Sequence, residues 1–206
     1  MIKEQKTERK VDVKKRKKEN QLYSAAYELF VTKGENNTAI DDIVKKAGVA
    51  KGTFYLYFKD KYDIINKLIL QKSSQLIKEA LANTEEKMFK DFEEETLYFI
   101  DYVIEYFKEN KLMLKLIKKN FTGAIYRRAI MVSDQYEEVK EIADYFIEGL
   151  RKKGMDFKEA EFTLFMILEL VGSMCYSSII LEEPAPIDEV KPILFKRIIA
   201  MISIDT

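Results

Sequence analysis

Apolar residues recur along nearly the whole chain at intervals of three and four, the spacing of helices with one buried face. Leu22, Ala25, Ala26, Leu29 and Phe30 predict a first helix from about Lys17 to Lys33, stopped by Gly34. A second is expected from Thr38, with Thr38 and Asp41 as a capping pair and Ile40, Ile43, Val44 and Ala47 facing inward. Gly48 ends it, at a turn that needs a left-handed residue. A short third helix follows over Lys51 to Phe58, with Phe54 and Phe58 on its inner face. The fourth starts at Asp60, capped with Asp63, and runs to about Ala82. Further helices are predicted at roughly 87–109, 111–121, 124–132, 134–152, 157–181 and 188–203, with Asp156 and Glu159 capping the start near 157. Proline is confined to residues 184–192, and no strand-like alternating run is bounded by turn residues. The expectation is an all-α chain: a small N-terminal three-helix unit, then a larger helical one.

Charge adds a direction to this pattern. The chain of 206 residues is neutral overall, with 35 Lys/Arg and 35 Asp/Glu. Residues 1–62 hold 15 basic against 9 acidic side chains, and the remainder holds 20 against 26. A basic end on a neutral chain suits a polyanionic partner for that end, or a solvated basic tail. Residues 1–17 lack periodicity and read as a flexible basic arm, densest at Lys14 to Lys18. Histidine is absent, which removes Ser-His-Asp and Cys-His catalysis, histidine metal ligation and histidine pH switching. The single cysteine, Cys175, leaves no disulfide within one chain and fits a reducing cytoplasm. No catalytic, metal or cofactor site is expected. Phe162 to Leu181 is apolar enough to raise a membrane question; Glu169 and its Gly/Ser content favour a core helix covered on two sides, by the core and by a partner chain.

The stretch that carries chemistry is TAIDDIVKKAGVAKGTFYLYFKDK, residues 38–61. Two short helices joined at Gly48-Val49-Ala50 suit a helix-turn-helix, whose second helix enters the DNA major groove. Phe54 and Phe58 pack inward, Gly52 removes a side chain where a backbone must come close, and Lys51, Thr53, Tyr55 and Tyr57 supply outward donors. Ordinary core aromatics are the competing account of the tyrosines. With AAYELFVTKG at 25–34, this segment makes residues 15–65 resemble the DNA-binding domain of the TetR/AcrR family of bacterial repressors. The resemblance implies base or sugar-phosphate contacts from Lys51, Gly52, Thr53 and Tyr55, and phosphate contacts from Thr38, Tyr57 and Lys61. Ala50 stands where many members carry a Ser or Thr cap, which questions any side-chain cap there.

Residues 85–206 carry no comparable motif. The resemblance implies a helical ligand pocket there, and a homodimer made by about 157–181 and 188–203. Aromatic and methionine side chains suit an apolar effector, and the candidates are Phe99, Tyr102, Tyr106, Phe121, Tyr126, Phe165, Met166 and Glu169. Plain core is the competing account for each. A carboxylate at Glu169 is to be paired (with Lys196 or Arg197), solvated at a rim, or used on a cationic ligand. The expected domains are an arm over 1–14, a DNA-binding domain over 15–62 and a ligand-sensing, dimerising domain over 63–206. The function implied is a repressor that binds a palindromic operator and is released by a small apolar effector. The alternative is a helical protein-interaction module that no longer binds DNA.

Overall fold

The computed structural model describes residues 2–120 and 137–203. Among these residues every regular element is helical. In order they are α1 (Ile2–Lys33), α2 (Ile40–Ala47), α3 (Lys51–Tyr55), α4 (Lys61–Glu85), α5 (Phe92–Glu109), α6 (Lys111–Asn120), α7 (Glu137–Lys152), α8 (Phe157–Cys175), its π-helical continuation Tyr176–Leu181, and α9 (Ile187–Ile202). The helix expected at 124–132 lies outside the described residues.

The chain divides into two compact units, Met1–Leu70 and Gln71–Thr206. The boundary expected after residue 62 falls later because the first turns of α4 belong to the small unit. Ile64, Ile65, Leu68 and Ile69 are buried. Lys67 Nζ donates to the Tyr57 carbonyl at 3.0 Å and lies 5.1 Å from the Phe58 ring centroid. The rest of this unit's core follows the periodicity: Leu22, Ala26 and Phe30 from α1, Ile43 from α2, then Phe54 and Phe58. Phe54 and Phe58 meet at 5.4 Å, and Tyr23 stands edge-on to Phe58 at 5.2 Å.

The segment read as a flexible arm is instead part of α1, which starts at Ile2. It holds no Gly or Pro and is rich in Lys, Glu, Gln and Arg, whose helix propensity needs no buried stripe. The capping of α2 also differs. Its N-cap is Ala39, whose amide is held by Asp42 Oδ2 at 3.1 Å. Thr38 is buried instead, and its hydroxyl donates to the Gly34 carbonyl at 2.8 Å. Asp60 caps α4 as expected, accepting from the amides of Tyr62 and Asp63 at 2.7 and 2.9 Å. Asp156 likewise accepts from Glu159 N at 2.8 Å at the start of α8.

In the larger unit, α8 buries one stripe: Ala160, Thr163, Ile167, Val171 and Cys175. Phe157–Leu181 is long and apolar enough, by length and composition alone, to cross a membrane, but only 28% of its most apolar window is buried. Within one chain the core covers one side of α8, and Phe162, Phe165, Met166 and Leu168 on it are exposed. Lys108 and Lys191 join α5 to α9, Lys108 to Asp188 at 2.8 Å, Lys191 to Asp101 and Glu105 at 2.7 Å each.

Candidate functional site

The turn between α2 and α3 is set by backbone chemistry. Gly48 takes φ 66°, a left-handed conformation that a side chain disfavours. It lets the Val49 amide reach back to the Val44 carbonyl at 3.0 Å, closing α2. Ala50 then opens α3 without a side-chain cap, and the Thr53 amide bonds its carbonyl at 2.8 Å. The expected helix to Phe58 stops at Tyr55, because the amides of Leu56 and Tyr57 bond i−3 carbonyls and tighten the last turn.

This leaves a short helix with one buried anchor, Phe54, and an outward face. Lys51 and Gly52 are exposed, Tyr55 is 53% exposed, and Thr53 is half-buried. A Cβ built on Gly52 would meet nothing within 4 Å, so no crowding inside the chain explains a glycine there. Its helix cost is about 1 kcal/mol relative to alanine. Lys51 Nζ lies 2.8 Å from Asp41 Oδ1, and this hydrogen bond raises the lysine above its ordinary value. The ammonium is therefore charged and held by an exchangeable surface partner.

The other expected phosphate contacts sit differently. Tyr57 is half-buried and its hydroxyl donates to the Lys15 carbonyl at 3.1 Å, tying the turn after α3 to α1. Lys61 Nζ donates to the Glu35 carbonyl at 2.8 Å, which uses one of its three hydrogens. Thr38 is 1% exposed, so its hydroxyl serves the end of α1 and has no open face for an outside partner. Leu56, 78% exposed, and Asp41 belong to the same surface; Leu56 was not singled out in the sequence, and Asp41 only as a capping residue. The signal for Leu56 was its place between two tyrosines, one residue off the buried Phe54/Phe58 face.

The second candidate site lies wholly in the larger unit. A cavity of about 110 Å³ is lined by side chains of α4, α5, α7 and α8, among them Ile77, Leu81, Phe92, Phe99, Phe146 and Ile167. Of the expected ligand residues, Phe99 lines it. Tyr102 and Tyr106 are half-buried on α5 and do not. Phe165 and Glu169 are exposed on α8, and Met166 borders a shallow groove with Phe162 and Met201. These three were expected in the pocket. They lie off the α8 stripe that turns inward, and apolarity alone does not say which way a helix face points. Phe121 and Tyr126 lie outside the described residues. No cluster of His, Cys, Asp and Glu fit for a metal occurs among the described residues.

A small helical unit that holds a short exposed helix after a tight glycine turn is a helix-turn-helix domain. The profile of the bacterial regulatory proteins of the tetR family matches residues 22–68. A fatty acid metabolism regulator protein of Bacillus subtilis is 41% identical over 73 residues, 35% of this chain and 38% of that protein. An HTH-type transcriptional regulator of the same organism is 23% identical over 158 residues, 75% of this chain and 81% of its own length. The matched stretches span only 38% and 25% of the first two curated relatives. Among solved structures, the fatty acid degradation regulator FadR of Bacillus halodurans has a TM-score of 0.61 at 19% identity, over 87% of this chain and 93% of that one. FadR of Bacillus subtilis, solved with stearoyl-CoA, also has a TM-score of 0.61 at 19% identity, over 88% and 97%. Over residues 22–68 this chain is thus similar to the N-terminal domain of the tetR family of regulatory proteins. The relatives are transcriptional regulators and not enzymes.

Proposed function

We propose that the protein is a homodimeric, cytoplasmic transcriptional repressor that binds a palindromic DNA operator through α3 and is released by a small apolar effector. The observation that carries the reading is Gly52: a costly glycine in a helix, exposed, with open space where its side chain would be. Close approach of a DNA backbone accounts for it, because phosphate oxygens reach main-chain amides only where no side chain intervenes. Lys51, Thr53 and Tyr55 flank that glycine and read base edges or sugar-phosphate; Tyr57 and Lys61 reach phosphate from the turn behind. The basic balance of residues 1–62 supports the same partner.

A palindromic site needs two copies of α3 about one DNA turn apart, roughly 34 Å. A second copy of this chain is the partner proposed for the exposed apolar face of Phe162, Phe165, Met166 and Leu168 on α8 and Ile193 on α9. The effector would act through α4, which contributes Ile77, Leu81 and Thr84 to the cavity and also contains the boundary between the units. Differential binding to two conformations then lowers operator affinity.

The test is fluorescence anisotropy with duplex DNA from the promoter of the protein's own gene. Gly52→Leu is expected to melt no lower than the parent, since nothing in the chain is displaced, yet to bind DNA at least tenfold more weakly. Lys51→Ala is expected to lower the slope of log affinity against log salt by about 0.9. A flat, salt-independent titration with every duplex, or a Gly52→Leu protein that binds like the parent, overturns the reading.

A further inference from the structure

The cavity of the larger unit carries one unmet demand. Two threonines line it. Thr84 is satisfied, its hydroxyl donating to the Ala80 carbonyl one turn back at 2.8 Å. Thr96 is 5% exposed, and its Oγ1 has no hydrogen-bond partner among the described residues. A buried hydroxyl left in this state costs about 1–3 kcal/mol, so a group that comes and goes in the cavity is its natural complement.

The rest of the wall states what that group is attached to. It is Ile, Leu, Phe and Ala almost throughout. The only ionisable side chains in it, among the described residues, are Glu95 and Tyr145, which bond each other: the Tyr145 hydroxyl donates to the Glu95 carboxylate at 2.9 Å. Tyr145 is 54% exposed and Glu95 half-buried, so the pair forms the rim. A carboxylate at the rim, with no lysine or arginine in the wall among the described residues, disfavours an anionic ligand. Volume sets the last limit. A cavity of about 110 Å³ is slightly smaller than an engineered apolar one of about 150 Å³ that holds benzene. A long acyl chain exceeds it several times over.

We infer that this cavity binds a neutral, ring-sized apolar molecule of about six to eight non-hydrogen atoms with one hydroxyl or carbonyl oxygen that accepts from Thr96. The inference rests on the effector reading above and deepens it: it names the chemistry of the ligand and the residue that selects it. Phe92 shapes the wall from a second side. A Cβ on Gly149 would collide with the Phe92 ring, so the glycine in α7 gives that ring its place.

The experiment is calorimetric titration of the full chain with benzyl alcohol, toluene and benzoate. Benzyl alcohol is expected to bind saturably, toluene on the order of fivefold more weakly for want of one hydrogen bond, and benzoate not measurably. Thr96→Val, which keeps the shape and removes the hydroxyl, is expected to bring benzyl alcohol down to the affinity of toluene and leave toluene unchanged. Ala143→Phe, which fills the cavity, is expected to abolish both. Absence of benzyl alcohol binding, benzoate binding as tightly as benzyl alcohol, or a Thr96→Val protein that still distinguishes the alcohol from toluene each overturns the inference. Because binding is read without DNA, a chain that ignores every duplex still reports on this site. Benzyl alcohol binding that obeys the Thr96 rule but leaves promoter DNA bound supports the site and sinks the effector reading.

Discussion

At Gly48 the backbone stands at φ 66°, and the turn between α2 and α3 depends on it. Gly48→Ala is expected to lower stability by about 1–2 kcal/mol, read as a lower melting temperature. Thr38→Val tests the reassignment of that residue. Its hydroxyl closes the end of α1 on the Gly34 carbonyl, so the variant is expected to lose about 1 kcal/mol of stability and to keep its DNA affinity at temperatures where both proteins are folded. A DNA affinity that falls with stability intact would restore Thr38 as a phosphate contact. The inward aromatics Phe54 and Phe58 were legible in the sequence because residues four apart share a helix face. Thr38 was not: capping the next helix and closing the previous one place the same hydroxyl at the same point in the sequence, and only the position of the α1 carbonyls decides between them.

Elements were legible in kind more than in extent. Helical periodicity located α1 to α9, and the caps at Asp60 and Asp156 were set by side chains one turn from their targets. The early end of α3 and the π-helical turns after Cys175 were not, because both are choices among i−3, i−4 and i−5 bonding that similar side chains permit. The α5–α9 ion cluster joins residues 80 and 86 positions apart, which no local pattern announces. Its electrostatics make a pH prediction. The Lys191 ammonium holds the Glu105 carboxyl below its ordinary value of 4.5, with Lys108 assisting. A depressed carboxyl contributes stability that is complete above the ordinary value and is lost as pH falls through the depressed one. Lys191→Met is therefore expected to lower the melting temperature at pH 7 by the equivalent of less than about 1 kcal/mol, since the groups are part-exposed. The difference should shrink as pH falls below 4; a difference that grows on acidification contradicts the assignment.

At the scale of the whole molecule, the dimer proposed above needs an interface, and the exposed face of α8 supplies it. Specific interfaces commonly bury about 1,600 Å² in all, and Phe162, Phe165, Met166, Leu168 and Ile193 offer large side chains toward it. Phe162→Lys combined with Met166→Lys is expected to shift the protein to monomer in sedimentation velocity and to remove the concentration dependence of its melting temperature. If both the parent and the variant sediment as monomer, a second copy is not the partner. The sequence by itself determined the all-helical class, the helix-turn-helix segment and its glycine turn, because each rests on contacts within a few residues, where spacing and side-chain type leave one geometry. Tertiary structure alone decided which apolar side chains enclose the cavity and which remain outside, so that Phe99 lines it while Phe165 and Met166 do not. A helix apolar around most of its circumference has no preferred inward side of its own; its neighbours choose one.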